Sequence, residues 1–395
     1  MSDAARQAQA IGNTVLGEYG TTVFTVMSAL AVEHQSINLG QGFPDEDGPA
    51  DIRRAAAEAT LEGPNQYPPM MGIPALRQAV AAHNRRFYGL DVDWQTEVMV
   101  TSGATEALAS CLLGLINPGD EVVLIEPLYD CYHPLVRRAG GVPVMVRIEP
   151  PEWTLPRDAL AEAFSDRTKL ILLNSPHNPA GKVFDADDLA FIADLVKRHD
   201  AYALCDEVYE HLVFDGRPHI PLMTLPGMRE RCLRIGSAGK TFSMTGWKVG
   251  YVTGAPALIA AAAKAHQFLT FTTPPNLQAA TAYGLGLEDA YFRDFTADMA
   301  AKRDLLAQGL KEVGFEVMDT QGTYFLTVDF RPLGFNGSDV EFCRHITVDA
   351  GVTAVPVSAF YRNAAVDHFA RFCFCKRPAV LSGAVDRLKA HFGGP

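Results

Sequence analysis

From residue 97 onward the chain alternates short apolar runs with longer stretches whose apolar residues recur every three or four positions. The runs at 97–101 (EVMVT), 121–125, 169–173, 202–205, 232–236 and 248–253 have strand length and little polar alternation, which is how strands buried on both faces read. Helical stretches lie between them, starting near Ala104 and Thr105, at 185–198 and at 256–271, with another opening in TFTTPPNLQAATAYG. This alternation predicts a mostly parallel sheet covered by helices on both faces. A long amphipathic run, 291–313, leads out of that unit. Beyond Gly314 the pattern returns on a smaller scale, with strands at 325–329 and 371–374 and helices at 339–349 and 379–392. The expected organisation is an N-terminal arm over 1–45, helical from 11 to 36 and packed on the small domain, a large domain over 46–290 and a small α/β domain over 291–395.

The breaks in this pattern carry the candidate chemistry. In SAGKTFSMTGWKVGY, Lys240 sits on a tight crossing between two buried strands, with Gly239 and Gly246 allowing close backbone approach. Burial and a neighbouring cation such as Lys248 would lower its pKa and leave an amine able to attack an aldehyde; a lone lysine snorkelling from a strand end reads the same way. The turn NSPHNPAGKVF after the 169–173 strand holds two X-Pro bonds, a rigidity that could aim Asn178 at a ligand. Asp206 emerges from the apolar run 202–205, where an unpaired carboxylate is costly. It calls for a cation or, equally, serves as a helix N-cap. Tyr209 follows three residues later. SGATEAL after EVMVT would put backbone amides at a helix N-terminus, a phosphate cup if a phosphate is there to bind. Tyr129, past the end of the 121–125 strand, could lie on a planar ring or belong to the core. Arg371 opens an apolar strand, and its guanidinium suits a carboxylate of a ligand or of a local acid. The loop with Gly40, Gly42 and Pro44, and Tyr67 in its proline-bounded loop, read as ordinary surface by themselves.

Charge and cysteine usage narrow the field. With 34 basic against 46 acidic residues the net charge is -12, so a nucleic-acid surface would have to be built against the overall field. No apolar run reaches the roughly 18 to 20 residues of a membrane span and no signal core opens the chain, which makes a cytoplasmic address the expectation. The seven cysteines show neither zinc spacing nor a disulfide framework, and reduced, mostly buried thiols are expected. No metal is called for.

Taken in order, phosphate cup, aromatic, Asn, Asp with Tyr, Lys and Arg resemble the class I/II pyridoxal-phosphate aminotransferases of fold type I over nearly the whole chain. The Lys240 stretch resembles their Schiff-base segment. TTVFTVMSALAVEHQSINLGQGFPD and HQFLTF resemble the branch of methionine aminotransferase and kynurenine aminotransferase (glutamine transaminase K). The resemblance implies a seven-stranded, mostly parallel sheet in an α/β/α sandwich, pyridoxal 5'-phosphate as cofactor, and a homodimer with its active sites at the subunit interface. It implies that Lys240 binds the cofactor covalently and moves the proton at the substrate Cα. Asp206 would face the pyridine nitrogen, Tyr209 and Asn178 the phenolic oxygen, and Tyr129 the ring face. Gly103, Ala104, Thr105, Ser237 and Lys248 would hold the phosphate, joined by Tyr67 of the neighbouring subunit. Arg371 would clamp the substrate carboxylate with help from Asn178 and the backbone at Gly42, while Phe24 and Phe271 line the side-chain pocket. Kynurenine-preferring members tend to carry Phe-His where this chain has Phe271 and Thr272, which favours methionine-, phenylalanine- or glutamine-type donors. Cysteine-conjugate β-elimination and transamination of N-succinyl-diaminopimelate are rivals on the same site. A regulator built on this fold would need an attached DNA-binding domain, and only a short arm precedes the first motif.

Overall fold

The computed structural model describes residues 11–363 and 366–393; the rest of the expected arm and small domain lies outside the described residues. Seven strands form the central sheet: β1 (Val98–Thr101), β2 (Glu121–Glu126), β3 (Val142–Arg147), β4 (Thr168–Asn174), β5 (Tyr202–Asp206), β6 (Cys232–Ser237) and β7 (Gly250–Gly254). Their spatial order is β1-β7-β6-β5-β4-β2-β3. Only β7 runs antiparallel to its neighbours, so the carboxyl ends of β1, β2, β4, β5 and β6 share one edge with the start of β7. Ligands of open α/β sheets bind at that edge.

Alternate residues along each strand point to opposite faces, and both faces are filled. Val122, Leu124, Leu170, Leu172, Leu233 and Ile235 pack toward the helices Gly103–Leu115 and Pro256–Leu269. Val123, Ile125, Ile171, Leu173 and Ala203 pack toward Ala50–Glu62, Pro74–Tyr88, Ala186–Arg198 and Pro275–Leu285. This two-sided burial explains the unbroken apolar runs. Two features depart from them. β3 was not individually legible because Pro143 interrupts its ladder, and it is tolerated because β3 is an edge strand paired only with β2. Arg234 stands buried in the middle of β6, bonded to Glu207 (2.5 Å), Glu210 and Asn84 (2.9 Å). These bonds pin the turn 206–210 from beneath.

The C-terminal sheet pairs β8 (Phe325–Asp329) antiparallel with β9 (Phe369–Cys373), with Arg371 opposite Thr327. The Asp289–Val313 helix, 25 residues long, runs alongside the Pro378–Phe392 helix. The expected continuous helix over 11–36 is instead a short 3₁₀ turn, Leu16–Glu18, and a helix, Val23–Glu33, separated at Gly20 and capped by Thr22. That helix lies on the Asp339–Val348 helix, and Ile37–Asn38 adds a parallel strand to Val352–Thr353. The loop after it, 39–48, is thereby delivered to the carboxyl edge of the large sheet. Among the described residues no helix is long and apolar enough to cross a membrane.

Candidate active site

The carboxyl edge holds a cavity of about 220 Å³, lined by the turn 103–105, Tyr129, Asn174, Asn178, Asp206, Tyr209, Ser237, Lys240 and Lys248. They come from the carboxyl ends of five strands and the turns that follow them, with Lys248 just ahead of β7. At the end of β1, Gly103 adopts φ +75°, which a side chain would strain, and it starts the Gly103–Leu115 helix whose first amides face the cavity. A Cβ on Gly250 would lie 2.7 Å from the carbonyl carbon of Gly103, so glycine there lets β7 close against this turn. Lys248, itself left-handed at φ +54°, brings its Nζ beside Gly103. A helix N-terminus with a lysine and a serine beside it is a phosphate site in its chemistry.

At the end of β5, Asp206 is buried and accepts hydrogen bonds from the Tyr132 hydroxyl (2.6 Å) and the Val208 amide (3.4 Å). It is not a helix N-cap: a turn follows it, not a helix. Burial pushes its carboxyl above the usual range, while Tyr132, Val208 and, at longer range, Lys240 pull the other way. Among the described residues no cation lies within ion-pair distance of it, so the carboxylate is suited to a cationic group entering the cavity, such as a protonated pyridine nitrogen.

Lys240 stands after β6, surrounded by protein but with surface open to the cavity. Its Nζ donates to the Tyr324 hydroxyl (2.7 Å), which donates to the carbonyl of Gly42 (2.7 Å). Burial lowers its pKa; the acids and thiols nearby oppose this, and Lys248 adds to it. Both causes expected from the sequence act here, desolvation being the larger.

Arg371 is 1% exposed. Its Nη1 donates to Asn178 Oδ1 (2.7 Å), which itself lines the cavity, and its Nη2 donates to the carbonyl of Gly40 (3.0 Å). Nε has no partner. No local carboxylate pairs with it among the described residues, and burial drops its pKa to about 10. Aromatic rings stand around the guanidinium at 3.8 Å (Phe325), 4.8 Å (Phe360) and 5.3 Å (Phe24). The Gly40 carbonyl holds Arg371, and the Gly42 carbonyl accepts from Tyr324, so the 40–42 loop is tied to both residues.

Two expected residues lie away from this cavity in their own chain. Tyr67 is 84% exposed, and its ring meets that of Phe271 edge to face at 5.6 Å. Tyr132 and Tyr324 were not anticipated. Tyr132 had a faint signal, three positions after Tyr129 in LYDCY, whereas nothing in GTYFL marks Tyr324 as a partner of Lys240. The described residues also bring His83, Glu210 and His211 together, but Glu210 is already engaged by Arg234 and Tyr88, and the two histidines bond each other at 2.8 Å.

The family described as aminotransferase class I and II matches residues 34–388. A probable N-succinyldiaminopimelate aminotransferase from Mycobacterium tuberculosis is 47% identical over 94% of this chain and 96% of its own length. The methionine aminotransferase of Escherichia coli is 39% identical over 96% and 98%. The human kynurenine–oxoglutarate transaminase 1 is 38% identical over 91% and 93%. The solved structure of the mycobacterial N-succinyldiaminopimelate aminotransferase superposes with a TM-score of 0.94, covering 96% of this chain and 99% of that one. With this fold, this cavity and these relatives, the chain belongs to the class I and II aminotransferases, pyridoxal-phosphate enzymes of fold type I that exchange amino groups between amino acids and 2-oxo acids.

Proposed function

We propose that the amino donor is an L-amino acid with a neutral or aromatic side chain. Arg371 carries this reading: a buried guanidinium, charged at neutral pH, with no carboxylate partner among the described residues, boxed by Phe24, Phe325 and Phe360. It binds the α-carboxylate, and the aromatic walls leave the side chain an apolar surface, where a second carboxylate would be expensive to bury. Bound at this site, pyridoxal phosphate supplies an electron sink for the charge that develops at the donor's Cα. Asp206, held by Tyr132, would keep the pyridine nitrogen protonated. Tyr209 and Asn178 would bond the phenolic oxygen, with Tyr129 against the ring. The turn 103–105, Ser237 and Lys248 would hold the phosphate. Lys240 would hold the cofactor covalently, and its amine would take the proton from the donor's Cα. Tyr324 steers that amine. The same proton removal on a donor with a β-leaving group would give β-elimination.

A panel of donors and 2-oxo acids ranked by kcat/KM tests this reading. Methionine, phenylalanine, leucine and glutamine should outrun aspartate and glutamate. A tenfold preference for aspartate, about 1.4 kcal/mol in the transition state, would overturn it.

A second reading, N-succinyl-diaminopimelate, is favoured by the 47% identical relative and by one local feature. A groove bordered by Phe24, Tyr129 and Phe360 continues from the Arg371 box past Asp130 to Arg362. A donor with a long acidic tail would put its far carboxylate near Arg362. Under this reading Arg362→Ala lowers kcat/KM for the succinylated donor about tenfold or more, as expected for one charge-assisted bond, and leaves methionine unchanged. Equal values for both proteins with the succinylated donor would eliminate it.

We also propose a two-fold dimer in which Tyr67 of the partner subunit completes the phosphate site and the partner's Phe271 completes the side-chain pocket. Support comes from the exposure of Leu61 (84%), Tyr67 (84%) and Phe268 (88%), more large apolar surface than a monomer usually leaves open in one region. Lys240→Ala protein mixed with Tyr67→Glu protein, each inactive alone, should regain activity on subunit exchange, because one site of each hybrid is intact. A monomer in sedimentation at assay concentration would exclude the arrangement.

A further inference from the structure

Arg371, Cys373 and Cys375 are alternate residues of one extended segment and so face the same way. At one end is the Arg371 box; at the other is Tyr324, the partner of Lys240, whose backbone carbonyl accepts the Phe374 amide at 2.9 Å. Between them the sulfurs of Cys373 and Cys375 lie 3.1 Å apart, both buried. Transamination uses neither thiol. The spacing is closer than packing of two sulfurs requires, and it joins two structures the reaction depends on.

We propose that Cys373 and Cys375 are an oxidation site: a peroxide converts them to an intramolecular disulfide that lowers turnover until a dithiol reduces it. The thiolate of Cys373 attacks one peroxide oxygen and the O–O bond breaks, leaving a sulfenic acid on Cys373 and releasing one water. The Cys375 sulfur then attacks the sulfenic sulfur; the S–S bond forms, the S–O bond breaks and a second water leaves. In sum, two thiols lose two electrons and two protons, and the peroxide becomes two waters.

The surroundings divide the two roles. Burial raises the Cys373 thiol, but the bond from Cys375 and the Lys376 ammonium outweigh it and hold Cys373 below its ordinary value; burial and the Cys373 sulfur push Cys375 up. The lower thiol is the attacking one and the protonated neighbour resolves it. Both sulfurs are buried, so the oxidant proposed is hydrogen peroxide, the smaller one, and not a larger disulfide.

Closure must move the chain. Residues two apart on a strand have Cα atoms roughly 6.7 Å apart, at the far edge of the range of about 4.4–6.8 Å that a disulfide spans. Regular pairing ends at Cys373, so the contraction falls on Phe374 and Cys375 and pulls on Tyr324 and, through the strand, on Arg371. Misplacing a binding group by about 1 Å can cost on the order of 10²-fold in rate.

Holoenzyme treated with hydrogen peroxide, alkylated and digested should yield a peptide spanning both cysteines that is lighter by two hydrogens and unalkylated. Activity should fall about tenfold or more, chiefly through KM for the amino donor, and return with dithiothreitol. Cys375→Ser and Cys375→Ala should match wild type before treatment and keep their activity after it. Absence of the two-hydrogen loss, or inactivation of both variants as fast as wild type, overturns the proposal.

Discussion

Lys240→Ala protein should bind pyridoxal phosphate only non-covalently and lose about 10²- to 10⁴-fold or more in turnover, the span that general acid–base groups contribute. Two properties of the site meet at this amine. It is desolvated, so its neutral form is accessible, and among the described residues its hydrogen-bond partner is Tyr324. A carboxylate within reach would have held it as the ammonium in an ion pair. Borohydride reduction and peptide mapping should place the fixed cofactor on Lys240 in wild type. A label on Lys248, the other lysine lining the cavity, would reverse the assignment of anchor and phosphate cation. The alanine protein should keep its fold by circular dichroism, because the removed side chain bonds one hydroxyl and carries no packing load comparable to the buried strands around it. An added primary amine that partly restores turnover would locate the loss in proton transfer.

The second large effect is at Arg371. Two charge-assisted hydrogen bonds to a substrate carboxylate, each worth about 1.5–3 kcal/mol, amount to about 3–6 kcal/mol, or roughly 10²- to 10⁴-fold in kcat/KM. Arg371→Leu should therefore weaken every α-amino acid donor by that range without reordering them, since the clamp touches what all donors share. Arg371→Lys should fall between, keeping the charge but losing the two-pronged geometry. The leucine variant also frees Asn178 Oδ1 and the Gly40 carbonyl, so its melting temperature must be measured beside its kinetics. If the donor ranking shifts, with methionine hardly affected and acidic donors lost, Arg371 contacts the side-chain end of the substrate and the proposed orientation is reversed.

Much of the site was visible in one dimension. Asp206, Lys240 and Asn178 each follow a buried, largely apolar strand, and a charged or amide side chain at such an end either finds a partner or lines a cavity. Tyr132 and Tyr324 were missed because a tyrosine in an apolar context is compatible with simple burial; only its hydroxyl partner reveals another use. Phe271 shows the reverse case. The resemblance expects it in the side-chain pocket, but in its own chain it is half-buried beside Tyr67, away from the cavity lining.

The sequence by itself determined the class of fold, because burial on both faces of a parallel sheet imposes unbroken apolar strands, and strand-to-helix turns must place their polar residues at the carboxyl edge. It also determined the chemistry available there, since lysine, aspartate and arginine types survive beside apolar strands only with a use for their charge. Tertiary structure alone decided which groups pair. Arg371 meets Asn178, 193 positions earlier in the chain, and Gly40, 331 positions earlier; Tyr324 meets Lys240 across 84. Such contacts depend on how two sheets and an arm dock, which is set by the summed packing of many apolar side chains and leaves no periodic trace in the polar residues it brings together.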